Sequence, residues 1–214
     1  FPVGDLLVFA FYNPSSYRWD LMRTNGTAAG TTRVVQVPAR IESLTSAGGF
    51  AWYVTQGVVW CSNATASGTL ALTASSVLTP ADLKATGGLL FFTAVEAGVG
   101  REPWMSDGTV AGTRRLADFE PGEGSSRLLA VTLHHGTPYL LLQNAQGRFL
   151  VKTDGTPAGT VKVADAPGAT WLVSRGGALL FDLTGYSATG EPANRPPQVT
   201  REAAFARIYG EASG

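Results

Sequence analysis

Short apolar segments recur along the chain, each directly after a glycine-containing turn. Five can be counted, and each has the length and the branched or aromatic side chains of a buried strand. They are "LLVFAF" from Leu6, "FAWYVT" from Phe50, "LLFFTA" from Leu89, "PYLLLQ" from Pro138 and "ALLFDL" from Ala178. The preceding glycines, Gly4, Gly48, Gly87, Gly136 and Gly176, are separated by 44, 39, 49 and 40 residues. This pattern predicts a repeat with a period of about 44 residues.

Two further segments repeat in step with these strands. An apolar or alternating segment precedes each glycine turn at residues 40–46, 81–86, 128–133 and 171–175, and the first unit is expected to lack it. A loop of the type Asp/Asn-Gly-Thr lies within residues 20–34, 58–72, 102–116 and 149–163, with Ala64 in place of the glycine in the second copy. Each unit is therefore interpreted as four antiparallel strands, with the glycine turn between the first two and the loop between the last two.

The predicted architecture follows from how such units bury their apolar faces. The units span residues of about 1–39, 40–79, 80–126, 127–169 and 170–185 onward. A four-stranded unit of this size cannot cover both of its faces, so the units must stack, and radial stacking gives a β-propeller. We expect an all-β propeller of about five four-stranded blades, the last degenerate or incomplete. Residues 186–214 would complete that blade or form a docking tail, with 203–210 as a candidate strand or short helix.

The repeated loop is interpreted as a structural turn. An Asp or Asn side chain accepts hydrogen bonds from backbone N–H groups two residues on, and glycine supplies a positive φ. The second glycine of each loop, such as Gly112, is expected to supply another positive φ. A calcium site at Asp107 and Asp154 is the alternative, but Asn occupies the same position in two copies and keeps the acceptor without the charge. The turn residues are Asn25, Gly26, Thr27, Asn63, Asp107, Gly108, Thr109, Asp154, Gly155 and Thr156.

An apolar residue lies three positions before the Asp or Asn of every loop. The four residues are Met22, Trp60, Trp104 and Val151, and their common register predicts packing between neighbouring blades. Three other tryptophans lie outside that register and are the candidate ligand-binding aromatics. They are Trp19, Trp52 and Trp171.

Composition narrows the classes of partner. The formal net charge is zero and only 15% of residues are charged, so no basic surface for nucleic acid or acidic lipid is expected. The single Cys61 excludes an internal disulfide framework and a multi-thiolate zinc site. No apolar run approaches the roughly 20 residues of a membrane span. Either the protein is cytosolic or a leader has been removed. The chain begins without Met and enters a strand almost at once, which favours a processed or excised N-terminus and a removed leader.

One unit carries a family resemblance. Residues 91–122, "FFTAVEAGVGREPWMSDGTVAGTRRLADFEPG", resemble the bacterial ELWxxDGT repeat family, with Pro103 in place of the family's Leu. The fourth unit matches from Lys152 to Gly168, and the first two units match in part. The resemblance implies a secreted, periplasmic or surface-attached bacterial protein. It implies no catalytic residues, because the family has no well-defined ones.

The search for reactive groups gives no convincing catalytic set. His134 and His135 are adjacent on a predicted strand, so we expect them to point to opposite faces. Asp118, Asp165 and Asp182 are carboxylates that would need to converge for acid–base chemistry. We therefore expect a non-catalytic module for protein–protein interaction or structural assembly, without a cofactor. The alternatives are a lectin-like glycan-binding propeller and, with least support, a sialidase- or glycosidase-type enzyme.

Overall fold

The five repeats fold as five separate antiparallel sheets that follow one another along the chain. The computed structural model of the protein describes residues 1–37, 39–73 and 78–182 and the backbone of 205–208. Four of the sheets have four strands and the fifth has three. The chain is therefore all-β, with one sheet for each predicted repeat. Within the described ranges, no helix has the length and hydropathy needed to cross a membrane.

Within each sheet the strands pair in chain order. Sheet 1 consists of β1 (Pro2–Val3), β2 (Leu6–Asn13), β3 (Arg18–Thr24) and β4 (Thr32–Val37). Sheet 2 consists of β5 (Ser43–Ala47), β6 (Phe50–Thr55), β7 (Val58–Ser62) and β8 (Thr69–Ala71). Sheet 3 consists of β9 (Leu78–Thr86), β10 (Leu89–Glu96), β11 (Gly100–Ser106) and β12 (Arg114–Arg115). Sheet 4 consists of β13 (Arg127–His134), β14 (Thr137–Asn144), β15 (Gly147–Lys152) and β16 (Val161–Asp165). Sheet 5 consists of β17 (Leu172–Arg175), β18 (Ala178–Asp182) and β19 (Phe205–Ile208).

The first repeat differs from the sequence prediction, whereas the last one agrees with it. The expectation that the first unit lacks its first strand is wrong, because Pro2 and Val3 pair with Leu7 and Leu6. Two residues suffice because the glycine turn directly follows them. At the other end, the segment 203–210 contains β19, which pairs antiparallel with β18. Residues 183–204 and 209–214 lie outside the described part of the chain.

The core is divided into layers between successive sheets. Side chains alternate between the two faces of a strand. We call the face of a sheet that is turned toward the preceding sheet its front face, and the opposite face its back face. Val8 and Leu21 on the back face of sheet 1 pack with Ala51 and Tyr53 on the front face of sheet 2. The next three layers join Trp52 and Val54 to Leu90 and Phe92, Phe91 and Met105 to Leu140 and Leu142, and Leu141 and Leu150 to Leu179 and Phe181.

The first strands of the sheets lie side by side. Strand β5 contacts β1 and β9, and β13 contacts β9 and β17. The hairpin turns that follow these strands are thereby brought close together. Gly48 of the β5–β6 turn and Gly88 of the β9–β10 turn approach so closely that a Cβ on Gly48 would clash with the Gly88 Cα. The sheets therefore stack through direct backbone approach as well as through apolar side chains.

Candidate functional site

The four repeated loops have the same internal hydrogen bonds. In the third loop, Asp107 Oδ1 accepts from Thr109 N at 2.9 Å and from Thr109 Oγ1 at 2.7 Å. Thr109 Oγ1 in turn accepts from Gly112 N at 2.9 Å. The other loops repeat these three bonds at 2.6–3.1 Å, in the sets Asn25–Thr27–Gly30, Asn63–Thr65–Gly68 and Asp154–Thr156–Gly159. One side-chain oxygen thus organises each loop, whether it belongs to Asp or to Asn.

The second glycine of each loop provides space, not a positive φ. The expectation of a positive φ at Gly112 is wrong, because the positive-φ glycines include Gly108 but not Gly112. A Cβ on Gly112 would overlap the Asp107 carboxylate that Thr109 holds in place. The same overlap, with Asn25, Asn63 or Asp154, would arise at the other three equivalent positions, Gly30, Gly68 and Gly159.

Replacing Gly112 with Ala is expected to destabilise the protein by about 1–3 kcal/mol, the usual cost of an added methyl in a packed position. Urea unfolding followed by circular dichroism measures the change. In the double variant with Asp107→Ala the methyl no longer meets a carboxylate, so the two losses should sum to more than the double variant's loss. Simple additivity would show that Gly112 is required for another reason.

Hydrogen bonds within the loop stabilise the ionised form of Asp107. The hydroxyl of Thr109 lowers the pKa of Asp107, and the Thr109 backbone N–H adds to this effect. The hydroxyl of Thr156 lowers the pKa of Asp154 in the same way. Within the described ranges, no group of three His, Cys, Asp or Glu side chains is arranged to hold a metal ion. The carboxylates of these loops therefore have defined structural partners.

Replacing Asp107 with Ala is expected to cost about 1 kcal/mol, as for the loss of an N-terminal cap, whereas Asp107→Asn should cost much less. Asn keeps the acceptor, as it does in the first two loops. Because folding lowers the pKa of Asp107, its stabilisation is present above the ordinary Asp pKa and is lost as the pH falls through the folded value. Thermal unfolding against pH should therefore show a smaller loss at low pH in Asp107→Asn than in the native protein, because Asp154 and Asp182, whose pKa values folding also lowers, keep their contributions in both. A calcium-dependent rise in Tm that Asp107→Asn abolishes would instead support the metal interpretation.

The second, third and fourth loops each contact the sheet before them. The Arg23 guanidinium of sheet 1 donates to the backbone oxygen of Ala64 in the second loop at 3.0 Å. A Cβ on Gly108 of the third loop would lie 3.3 Å from the Cys61 Sγ of sheet 2. One on Gly155 of the fourth loop would lie 2.8 Å from the Met105 Cε of sheet 3. Arg23, Cys61 and Met105, which each lie two positions before the Asp or Asn of their own loop, thus each lie next to the following loop.

Among the described residues, no such neighbour lies on the front face of sheet 1. A Cβ on Gly26 of the first loop would have no atom within 4 Å. On strand β2, Leu7 and Phe11 are 53% and 43% exposed, although the equivalent Ala51 and Thr55 of sheet 2 are fully buried. Leu7, Phe9, Phe11 and the half-buried Met22 form one apolar row, which we call the free front face. Sequence reasoning missed it because an apolar strand looks the same in a covered and an uncovered sheet.

The apolar register of the third strands differs in the same way between sheets. Trp60, Trp104 and Val151 all join the inter-sheet cores, Val151 fully buried and Trp104 nearly so. Met22, their equivalent in sheet 1, lies on the free front face. The four residues share a position in the repeat, and within the described part of the chain no sheet packs in front of Met22.

The three candidate ligand-binding tryptophans occupy different environments. Trp52 is fully buried between sheets 2 and 3, so its assignment as a ligand-binding residue is wrong. Trp19 is half-buried, and its ring centroid lies 5.3 Å from that of the exposed Tyr12. Trp171 is half-buried, and its backbone N–H donates to Asp182 Oδ1 at 3.2 Å. Trp19 therefore lies beside an exposed aromatic side chain on the same hairpin.

The two histidines are in contact with each other, contrary to the expectation of opposite faces. His134 ends β13, whereas His135 has a φ of 48° in the following turn. The change of direction brings their ring centroids to 4.2 Å. His134 Nδ1 is hydrogen-bonded to Ser174 Oγ at 2.9 Å, and burial lowers the pKa of His134. The pair joins sheets 4 and 5.

The three candidate carboxylates each have a local partner. Asp118 Oδ2 lies 3.8 Å from Arg115 Nη1, and Asp165 Oδ1 lies 2.6 Å from Lys162 Nζ. Asp182 accepts hydrogen bonds from the backbone N–H of Thr170 at 2.6 Å and from the Thr170 hydroxyl at 2.7 Å. Burial by itself raises the pKa of Asp182, but these hydrogen bonds outweigh it and lower the pKa. Asp118 and Asp165 thus form ion pairs, and Asp182 caps the turn at Thr170.

Glu102 is a buried carboxylate that the sequence interpretation did not single out. Its Oε2 accepts from Phe119 N at 3.0 Å and its Oε1 from Glu120 N at 3.2 Å. Burial nevertheless raises the pKa of Glu102. The side chain fastens the connection between sheets 3 and 4 to strand β11. The only available signal was its place in the "REPW" segment, which suggests a charged residue within an otherwise buried strand.

Comparison with known proteins gives a likeness of fold. No protein-family model matches the chain, and no curated protein matches it. Prolyl oligopeptidase B from Galerina marginata is 15% identical with a TM-score of 0.50, over 95% of this chain and 32% of that protein. A nidogen/laminin complex is matched at 11% identity and a TM-score of 0.48, over 84% of this chain and 68% of the other. YCF48 from Cyanidioschyzon merolae is matched at 13% identity and a TM-score of 0.39, over 96% of this chain and 73% of that protein.

These likenesses concern the fold and not the activity. The chain spans about a third of the oligopeptidase, at an identity too low to transfer function. The five antiparallel sheets in chain order, together with that match, support a β-propeller-type fold.

Proposed function

We propose that the chain is a non-catalytic β-propeller module of the ELWxxDGT type that acts in protein–protein interaction or structural assembly outside the cell or at its surface. The observation that carries the proposal is the free front face, where Leu7 and Phe11 are exposed although their equivalents in sheets 2, 3 and 4 are buried. An exposed apolar row on a folded sheet is typical of a protein-binding surface.

The polar groups support a structural role rather than a catalytic one. The loop carboxylates are held by Thr hydroxyls, Glu102 by two backbone N–H groups and Asp182 by Thr170. Groups fixed in this way hold the fold together. The resemblance of residues 91–122 to a secreted repeat family supports the proposed location.

Photo-crosslinking tests this proposal. Phe11 is replaced by p-benzoylphenylalanine in the producing cells, and light-dependent adducts are identified by mass spectrometry. Val110, which is 61% exposed in the third loop, is the matched control position. We expect a protein adduct at position 11 and not at position 110. Adducts at neither position, or equally at both, would contradict an interaction at the free front face.

Glycan binding is a second candidate, and one observation favours it. The hairpin between β2 and β3 carries Tyr12, Tyr17 and Trp19, with Tyr12 42% and Tyr17 80% exposed. Rings that are rigid, apolar and exposed on one hairpin are suited to stacking against another flat apolar surface, such as the face of a sugar ring. A glycan array should then give binding that Trp19→Ala abolishes and Trp171→Ala preserves. Equal binding by both variants would exclude the hairpin as the site.

A further inference from the structure

Two clefts occupy equivalent places in the repeat. The sheet 3 cleft has a volume of about 510 Å³ and the sheet 4 cleft one of about 230 Å³. Each is lined by an Arg or Lys of the fourth strand, by the Asp three residues after it, and by an acidic or amide residue at the end of the second strand. The three equivalent pairs, with the sheet 3 residue first, are Arg115 and Lys162, Asp118 and Asp165, and Glu96 and Asn144.

The strand register establishes this equivalence. Arg115 and Lys162 each pair with the residue three positions before the loop Asp. The second-strand residues each pair with the glycine that begins the third strand. The repeat itself does not require the polar set, because Ala71 takes the place of the cation in sheet 2 and Gln36 takes that of the aspartate in sheet 1. Packing within the repeat therefore does not account for what the two clefts share.

Opposite charges face each other in both clefts. Arg115 Nε lies 3.3 Å from Glu96 Oε2, and Arg115 Nη1 lies 3.8 Å from Asp118 Oδ2. Lys162 Nζ lies 2.6 Å from Asp165 Oδ1. All five side chains are partly exposed, so a ligand can reach them. Because each cation already faces a carboxylate, a charged ligand of either sign would meet a like charge. The clefts therefore favour a neutral ligand that carries both hydrogen-bond donors and acceptors.

The sheet 3 cleft also contains two donors without an acceptor. Trp104 lines this cleft and is only 9% exposed, and its Nε1 has no hydrogen-bond partner among the described residues. Arg115 Nη1 is buried in the same way, since its 3.8 Å separation from Asp118 is too long for a hydrogen bond. A buried donor without an acceptor costs free energy, which a bound oxygen atom would recover.

We propose that the sheet 3 and sheet 4 clefts each bind a ring of a neutral saccharide. A sugar hydroxyl is both a donor and an acceptor. It can donate to the Asp carboxylate and accept from Arg115 or Lys162, and in sheet 3 it can also accept from Trp104 Nε1. The inference goes beyond the proposed protein–protein interaction, and it concerns a different part of the molecule from the hairpin that carries Tyr12 and Trp19.

The size and lining of the clefts suit such a ligand. Both volumes exceed several-fold the about 30 Å³ that one water molecule occupies in the liquid. Water on polar groups is displaced without loss only by a ligand that reproduces its hydrogen bonds, which the hydroxyls of a sugar can do. Each cleft also has an apolar ring for the C–H face of a sugar, Pro157 in sheet 3 and Phe119 in sheet 4.

Counting the binding sites tests the proposal. An array of neutral hexose and N-acetylhexosamine oligomers, with uronate and sulfated oligomers for comparison, selects the ligand, and titration calorimetry with the corresponding trisaccharide counts the sites. We expect two sites per chain in the native protein, one in Arg115→Met or Lys162→Met, and none in the double variant. Arg175→Met, which changes an exposed residue outside both clefts, is the matched control and should keep two. Arg115→Lys should also keep two, because lysine occupies the equivalent position in sheet 4.

The indole N–H of Trp104 gives a second readout. Its signal in ¹H–¹⁵N spectra is assigned with Trp104→Phe. The same trisaccharide should shift this signal in the native protein and in Lys162→Met but not in Arg115→Met. Trp52 is the internal control, because its Nε1 also has no partner among the described residues but lies in the core between sheets 2 and 3. Its signal should stay in place.

Other results would overturn the two clefts as saccharide sites. These results are the absence of glycan binding, binding of uronate or sulfated oligomers alone, and two sites that remain in the double variant. Binding that Trp19→Ala abolishes and the double variant keeps would place the glycan on the hairpin instead. None of these results affects a protein crosslink at position 11, so the proposed interaction function stands or falls separately. Circular dichroism confirms that each variant is folded.

Discussion

Replacing Trp52 with Ala is expected to lower the free energy of unfolding by about 3–5 kcal/mol, the range for large aromatic side chains removed from a core. Trp52 is fully buried and lies in one cluster with Val54, Leu90 and Phe92, between sheets 2 and 3. The cavity would lie in the middle of the array, where neither sheet can relax without losing contacts on its other face. Urea unfolding followed by circular dichroism measures the loss.

Two further variants separate packing from other contributions of Trp52. Its Nε1 has no hydrogen-bond partner among the described residues, so Trp52→Phe removes an unsatisfied donor as well as volume and should cost only about 1–2 kcal/mol. Trp19→Ala removes a half-buried ring and should cost less than Trp52→Ala. A larger loss for Trp19→Ala than for Trp52→Ala would contradict the assignment of Trp52 to the central core.

The repeat could be predicted from the sequence because it depends on local chemistry. A glycine turn followed by an apolar strand defines a hairpin within about a dozen residues. The hydrogen bonds between Asp107 and Thr109 join residues only two positions apart in the sequence. The sheets therefore follow the predicted units, including the position of β19 within residues 203–210. The short β1 was missed because a two-residue strand carries no periodicity.

The parts that could not be predicted depend on contacts between distant residues. Whether Leu7 is exposed and Ala51 buried depends on which sheet lies in front of each, and their own sequences are equally apolar. Trp52 was assigned to ligand binding because its register alone did not show the adjacent sheet 3. The second glycines were assigned to positive φ because the position of the Asp107 side chain over Gly112 appears only in three dimensions.

The hairpin glycines offer a graded test of the stacking. Gly48→Ala is expected to cost about 2–4 kcal/mol, since two penalties combine. The φ of Gly48 is 60°, a left-handed conformation that costs a residue with a side chain roughly 1–2 kcal/mol. The added Cβ would also lie 2.6 Å from the Gly88 N and would clash with the Gly88 Cα. Backbone atoms of a neighbouring sheet can move away only if the sheets separate.

Equivalent glycines isolate each penalty. Gly176 has nearly the same φ, 58°, with no atom within 4 Å of the added Cβ, so Gly176→Ala should show the conformational cost alone. Gly87, at 57°, would meet only the Leu133 side chain, whose rotamer can change, so Gly87→Ala should lie between the two. Thermal unfolding of the three variants should therefore rank Gly48 as most costly, then Gly87, then Gly176. Equal losses at all three would mean that φ alone matters, and that sheets 2 and 3 do not depend on the close approach of Gly48 and Gly88.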